Sequence, residues 1–206
     1  FIVNSFILKI ISYIPVVSSK FRFSVLPKVK SPIIKKKDMT FLDIGCGNGE
    51  IVHIWGVEHS IKRYSKMSDN IYAIEPDEIA HKQLKNICNA YKYLEEIPKE
   101  INFDVIRMNW SLEHVHYPSA HFKFIRERLN QNGYAVICVP NLDGEIYKID
   151  NSLLELPVHL YHFTKSTIDK YCKKYDLKIN ESYTFSYASM YFFASKISNK
   201  LKKYSN

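Results

Sequence analysis

Three glycines alternate with single residues in the stretch TFLDIGCGNGE, residues 40–50, directly behind a short apolar run. Glycine permits positive φ and lets a ligand approach the backbone closely. Gly45, Cys46, Gly47, Asn48 and Gly49 therefore read as a sharp turn with room for a nucleoside-bearing ligand. The spacing is GxGxG. A dinucleotide fingerprint wants GxGxxG, and its third glycine would fall on Glu50, where a carboxylate would repel a pyrophosphate. A phosphate-cradling P-loop is excluded as well, because no Gly-Lys-Ser/Thr follows.

The surrounding periodicities say what must position that turn. TFLDIG is a short apolar run of the kind found in a buried parallel strand, and NIYAIE, 70–75, is a second. Residues 48–64 are more polar and suit a helix, with an extended loop or helix over 56–69. Pro76 opens DEIAHKQLKNICNAY, where Ile79, Leu84, Ile87 and Tyr91 recur at helical spacing. A short third strand is expected around Tyr93 and a fourth at FDVIRMN, 103–109. Phe122, Ile125 and Leu129 share one helical face, and Asn132-Gly133 reads as that helix's stop. YAVICVP, 134–140, is a fifth strand, followed by a long connection over 141–163. Thr164 can cap a helix striped by Ile168, Tyr171, Cys172 and Tyr175. LKINESYTF and SMYFFASKI then read as an antiparallel hairpin. Strands alternating with helices imply an α/β fold, a mostly parallel sheet covered on both faces. In such sheets ligands bind beyond the carboxyl ends of the strands, where strand order reverses. The glycine turn stands at such an end.

Composition fits one domain of this kind. The chain has 206 residues, 46% of them hydrophobic and 14% aromatic, which suffices for a sizeable core. The net charge of +8 is spread over scattered lysines, apart from Lys35–Lys37 and the C-terminal group, so it reads as a solvated surface and not a nucleic-acid site. Cys46, Cys88, Cys138 and Cys172 form no CxxC pair, which points away from disulfides and zinc and towards a cytoplasmic setting. The apolar opening FIVNSFILKIISYIPVV is interrupted by Asn4, Lys9 and Pro15, which argues against a spanning helix. It reads as a helix packing on the domain or capping its pocket, with peripheral contact at a membrane surface as the alternative. The organisation expected is an N-terminal segment 1–38, a main domain 39–198 and a basic tail 199–206.

Four segments in order carry a resemblance. LDIGCGNGE resembles the first motif of the class I S-adenosylmethionine-dependent methyltransferases, and YAIEPDE the second. FDVIRMNWSLEHVHYP with RLNQNGYAVICVPN resembles their fourth and fifth strands, and LPVHLYHFTKSTIDKYCKKYDL a late segment of a bacterial small-molecule and sugar subgroup. The resemblance spans residues 40 to about 180. It implies a Rossmann-like sheet of seven strands and S-adenosyl-L-methionine as cofactor. It implies that the turn Gly45–Gly49 cradles the amino-acid part of that cofactor and that Asp43 orients its ammonium, directly or through water. Glu75, beside Pro76, would accept both ribose hydroxyls, and Asn109 and Trp110 would meet the methionine portion. One departure stands out: where many members carry an acid for the adenine amino group, this chain has Lys92, Tyr93 and Leu94.

The acceptor side is read from histidines. Histidine has a pKa near 6.5 and can take a proton from a hydroxyl at neutral pH. His159 and His162 lie in the long segment that passes over the strand ends, and His114 lies in the loop after the fourth strand. These three are the candidate bases, with loop anchoring as their structural alternative. No metal is expected, since His114, His116 and His121 fit no zinc spacing. The expected reaction is methyl transfer to a small-molecule acceptor, first a hydroxyl of a sugar, glycolipid or surface-polysaccharide intermediate. N-methylation, a dinucleotide-dependent oxidoreductase and a non-catalytic cofactor-binding domain are the alternatives.

Overall fold

The structure is a computed structural model, and it describes residues 38–49, 61–144, 147, 154–187 and 190–199. The expectations for the N-terminal apolar segment, for Glu50 and for the basic tail lie outside those residues.

Seven strands form one sheet: β1 Phe41–Ile44, β2 Ile71–Ile74, β3 Asn89–Tyr91, β4 Phe103–Asn109, β5 Leu129–Pro140, β6 Leu177–Tyr187 and β7 Met190–Asn199. Their order is β3-β2-β1-β4-β5-β7-β6. The first five run parallel, and β7 pairs antiparallel with both β5 and β6. The order reverses between β1 and β4, so the ends of those two strands mark the ligand crevice.

Side chains of successive strand residues point to opposite faces, and here both faces are covered. Leu42, Ile44, Ile106, Met108 and Ile137 pack with Phe122 and Ile125 of one helix, Pro118–Arg128, and with Ile168 and Cys172 of another, Lys165–Lys174. Phe41, Ile71, Ala73 and Val105 pack on the opposite face with Ile61 and Tyr64 of a short helix, Ile61–Tyr64, and with Leu84 of Glu78–Leu84. In chain order these helices are α1 (61–64), α2 (78–84), α3 (118–128) and α4 (165–174). This double coverage is why β1 reads as an apolar run broken only by Asp43.

Two helices end earlier than their periodicity suggests. Helix α2 stops at Leu84, whose carbonyl accepts from Ile87 and Cys88, and Asn89 already belongs to β3. The Asn89 amide donates to the carbonyls of Asp69 and Ile71, which fixes the third strand at 89–91, ahead of Tyr93. Helix α3 stops at Arg128, and Leu129 is extended and pairs with Phe103. Gly133 therefore lies inside β5 and is not a helix stop. A Cβ there would sit 2.8 Å from the Phe103 carbonyl oxygen, so glycine lets β5 pass close to β4 at an irregularity in their register. Thr164 caps α4 as expected, its hydroxyl accepting from the Thr167 N–H at 3.2 Å.

Candidate functional site

Each glycine of the turn answers a different neighbour. Beyond Gly45, a Cβ would lie 2.4 Å from Cβ of Ser111, so the loop after β4 fills that space. Beyond Gly49 it would meet Leu84, Ile61 and Ile87 at 3.0–3.4 Å, the packing of α1 and α2. Gly47 has φ +58 and nothing within 4 Å of a Cβ. That is the cradle a ligand can enter, at a backbone angle that disfavours side chains. Asn48 beside it is exposed.

Glu75 closes one side. It is 9% exposed at the end of β2, with Pro76 exposed behind it. One carboxylate oxygen accepts from the Gly47 N–H at 2.7 Å and the other from the Asp77 N–H at 3.0 Å. A carboxylate has about four lone-pair directions, so two stay open for hydroxyls. Cys46 is a buried member of the turn. Burial, then the Asp43 and Glu75 carboxylates, push its thiol well up, which makes it a packing residue and not a nucleophile.

Asp43 faces a basic side chain inside the sheet. It is 2% exposed, and both its oxygens are taken by Arg107, from Nε at 3.0 Å and from Nη2 at 2.5 Å. Sequence reading passed over Arg107. Its one signal was a basic residue between the apolar Val105-Ile106 and Met108 of β4; the structure puts it in register with Asp43.

The β4 end supplies the facing wall. Asn109 and Trp110 are half-buried, and Trp110 has φ +54, a strained angle for so large a residue. Its N–H donates to the Cys138 carbonyl at 2.9 Å, which holds that turn in place. Ser111 follows, and its hydroxyl donates to the Ile44 carbonyl at 2.7 Å. Strain of this kind clusters where a chain is shaped for a ligand.

The three histidines come together. The rings of His114 and His159 are 4.8 Å apart and those of His159 and His162 6.1 Å. Backbone bonds dock their segment on the β4 loop, Leu160 and Tyr161 donating to the Glu113 carbonyl at 2.9 and 3.2 Å. Each ring also has one nitrogen engaged: His114 Nδ1 with the Val158 carbonyl at 3.1 Å, His162 Nε2 with that of Leu154 at 2.9 Å, and His159 Nε2 with the Glu155 carboxylate at 3.0 Å. One nitrogen per ring is thus anchored, and in His114 and His162 the second can serve chemistry; His159 also meets the Leu154 backbone. Burial lowers the pKa of His159.

Glu113 lies in the loop after β4, beside His114. It is 1% exposed, and its Oε2 has no protein partner. Burial pushes its carboxyl up to about 8, so it is largely protonated at neutral pH. Its donor atoms and those of His114 and His159 all lie within 4.8 Å of one another, the one such grouping of His, Cys, Asp and Glu among the described residues.

Comparison with known proteins agrees with this geometry. Residues 20–182 match the family described as a methyltransferase domain. The chain is 27% identical over 161 residues to the mitochondrial ubiquinone biosynthesis O-methyltransferase of Candida albicans, covering 72% of this chain and 47% of that protein. It thus spans about half the length of the curated relative it matches. Among solved structures, a SAM-dependent methyltransferase of Methanosarcina mazei superposes with a TM-score of 0.64 at 14% identity, over 86% of this chain and all of that one. The magnesium protoporphyrin IX methyltransferase of Synechocystis, solved with bound SAH, gives 0.59 at 15% identity, over 79% and 75%.

Proposed function

The chain belongs to the class I S-adenosylmethionine-dependent methyltransferases, and from that premise we propose that it methylates a hydroxyl of a small-molecule acceptor held over the ends of β4 and β5, with a histidine of the 114–162 cluster as proton acceptor. The observation that carries this reading is the convergence of His114, His159 and His162 at the loop that follows the strained turn at Trp110.

The cofactor supplies the activated methyl group. What the chain supplies is alignment, worth roughly 7–11 kcal/mol when reacting atoms are held in line. In this reading Gly47 admits the cofactor, Glu75 takes its ribose hydroxyls, and Asn109 and Trp110 wall the methionine portion. A hydroxyl must lose its proton as it is methylated, and a positioned base contributes about 10²–10⁴-fold. An imidazole with one anchored nitrogen has its tautomer fixed and offers the other nitrogen to the hydroxyl. Tyr161, beside His162, has its own hydroxyl donated to the His116 carbonyl at 3.0 Å, which steadies this wall.

The sugar or glycolipid acceptor expected from sequence finds no support in the relative named for ubiquinone biosynthesis. That name supports an oxygen as the methyl acceptor. Among the described residues no helix is long and apolar enough to cross a membrane. Peripheral contact through the N-terminal segment stays part of the proposal, resting on its apolar sequence alone.

The test is a screen with methyl-labelled S-adenosylmethionine against phenolic, sugar and amine acceptors. Label transfer to a hydroxyl, lost in at least one of His114→Ala, His159→Ala and His162→Ala while cofactor affinity holds, is the expected result. Transfer to amines alone, or wild-type turnover in all three variants, contradicts it.

A further inference from the structure

From the methyl-transfer reading, on which this depends, we propose that Glu113 and Tyr147 form a polar subsite that holds the reacting end of the acceptor by hydrogen bonds, and that this end is an uncharged, hydroxyl-bearing group and not a phosphate or a carboxylate. Glu113 stands in the loop after β4 and Tyr147 in the segment after β5, beyond the carboxyl ends of two adjacent parallel strands. The segment 154–163 crosses the same ends. Its Leu160 and Tyr161 donate to the Glu113 carbonyl, and the ring of His159 comes to 4.8 Å from that of His114.

Both side chains are buried, Glu113 at 1% and Tyr147 at 6% exposure. Neither Glu113 Oε2 nor Tyr147 Oη has a hydrogen-bond partner among the described residues. A buried polar atom without a partner is destabilising, and folded proteins keep few of them. Here two stand near each other: burial, then the charges of Glu155 and Glu113, raise the Tyr147 phenol. The polar atoms of Glu113, His114 and His159 lie within 4.8 Å of one another, and His114 has only its Nδ1 engaged. A hydroxyl completes such a group. It has one proton to give, which suits the imidazole, and two lone pairs, one to accept from the phenol or the carboxyl and one left free to react. Burial pushes the Glu113 carboxyl up to about 8, so at neutral pH it is mostly a neutral donor. An anion fares differently. It would be stripped of water and would face Glu155, whose charge acts on both groups.

The test uses the full chain as wild type, Tyr147→Phe, Glu113→Gln and Glu113→Leu. Methyl transfer from labelled S-adenosylmethionine is measured to phenol and methyl glucoside, which are neutral, and to salicylate and glucose 6-phosphate, which are anions. Calorimetry with S-adenosylhomocysteine and unfolding by denaturant accompany it. The wild type should methylate at least one neutral acceptor and neither anion. Tyr147→Phe removes only the unpartnered oxygen, so it should keep stability and S-adenosylhomocysteine affinity while turnover falls about tenfold, the scale of one buried hydrogen bond left unmade. Glu113→Leu should lose as much, and Glu113→Gln, which still donates, should recover most of it. Wild-type turnover in both Tyr147→Phe and Glu113→Leu overturns the proposal, and so does a preference for the anions. A loss of stability in Tyr147→Phe overturns it as well, because the phenol oxygen would then be satisfied within the fold. Turnover that needs added Mg²⁺ or Zn²⁺ and vanishes in Glu113→Gln makes Glu113, His114 and His159 a cation site and likewise overturns it. No labelled product from the wild type with any acceptor counts against the methyl-transfer reading itself, and the stability of Tyr147→Phe then decides the subsite alone.

Discussion

A Cβ on Gly45 would stand 2.4 Å from the Cβ of Ser111, and the Ser111 hydroxyl donates to the carbonyl of Ile44 at 2.7 Å. The first glycine of the turn is thus occupied by the β4 loop, which locks the two walls of the crevice to each other. Gly45→Ala must push Ser111 away. It is expected to lower stability by about 1–3 kcal/mol, the usual cost of overpacking, and to weaken S-adenosylhomocysteine binding with it. Denaturant unfolding beside calorimetry checks both effects, and Gly45→Ala with Ser111→Gly should recover part of the stability.

Gly47 behaves differently, because nothing lies within 4 Å of a Cβ there. Gly47→Val should leave the fold largely intact, at the cost of a side chain forced into φ +58, and should abolish S-adenosylhomocysteine binding by filling the cradle. Near-normal affinity in a folded Gly47→Val protein would show that no ligand enters at this point.

Much of this was legible in the sequence. The alternation of apolar runs with helical stripes located the strands, the Thr164 cap and the terminal hairpin, because burial on both faces and capping chemistry are local signals. Element ends were less legible. Leu129 continues the stripe of α3, yet its backbone is claimed by pairing with Phe103 in β4, a partner 26 residues earlier in the chain that no local pattern reveals. Gly133 was read as a helix stop for the same reason, when its glycine answers the Phe103 carbonyl across the sheet.

The candidate site divides along the same line. The glycine spacing and Glu75 were visible because they are contiguous with strand ends. The surroundings of Asp43 and Glu113 were not, because they are contacts that only folding creates: Arg107 beside Asp43, and for Glu113 the segment around His159.

Glu75→Ala should weaken S-adenosylhomocysteine by tenfold or more, since a charge-assisted hydrogen bond is worth about 1.5–3 kcal/mol. Part of the loss comes through the Gly47 N–H that the carboxylate now holds at 2.7 Å. The 2′-deoxy cofactor analogue discriminates the two contributions. It should bind the wild type more weakly than the natural ligand, and bind Glu75→Ala no worse than the natural ligand does.

Glu113 should give the protein a distinctive pH dependence. Its folded pKa, pushed up to about 8, lies above the usual carboxylate range, so the unfolded chain releases that proton first. Stability must then fall as pH rises from the unfolded carboxyl pKa towards 8, by at most on the order of 1 kcal/mol per pH unit, and level off above it. The lowered His159 works in the opposite sense, removing stability as pH falls below about 6.5. Unfolding free energies between pH 6.5 and 8 should therefore decline in the wild type and stay level in Glu113→Gln. Parallel slopes would show that Glu113 is ionised in the folded protein.

The most direct measurement is a calorimetric titration of the intact chain with S-adenosylhomocysteine and, separately, with NAD. The account predicts saturable binding of S-adenosylhomocysteine at one site per chain, lost in Gly47→Val, and no comparable binding of NAD. Binding of NAD with S-adenosylhomocysteine inert, or S-adenosylhomocysteine binding that survives Gly47→Val and Glu75→Ala unchanged, would contradict it.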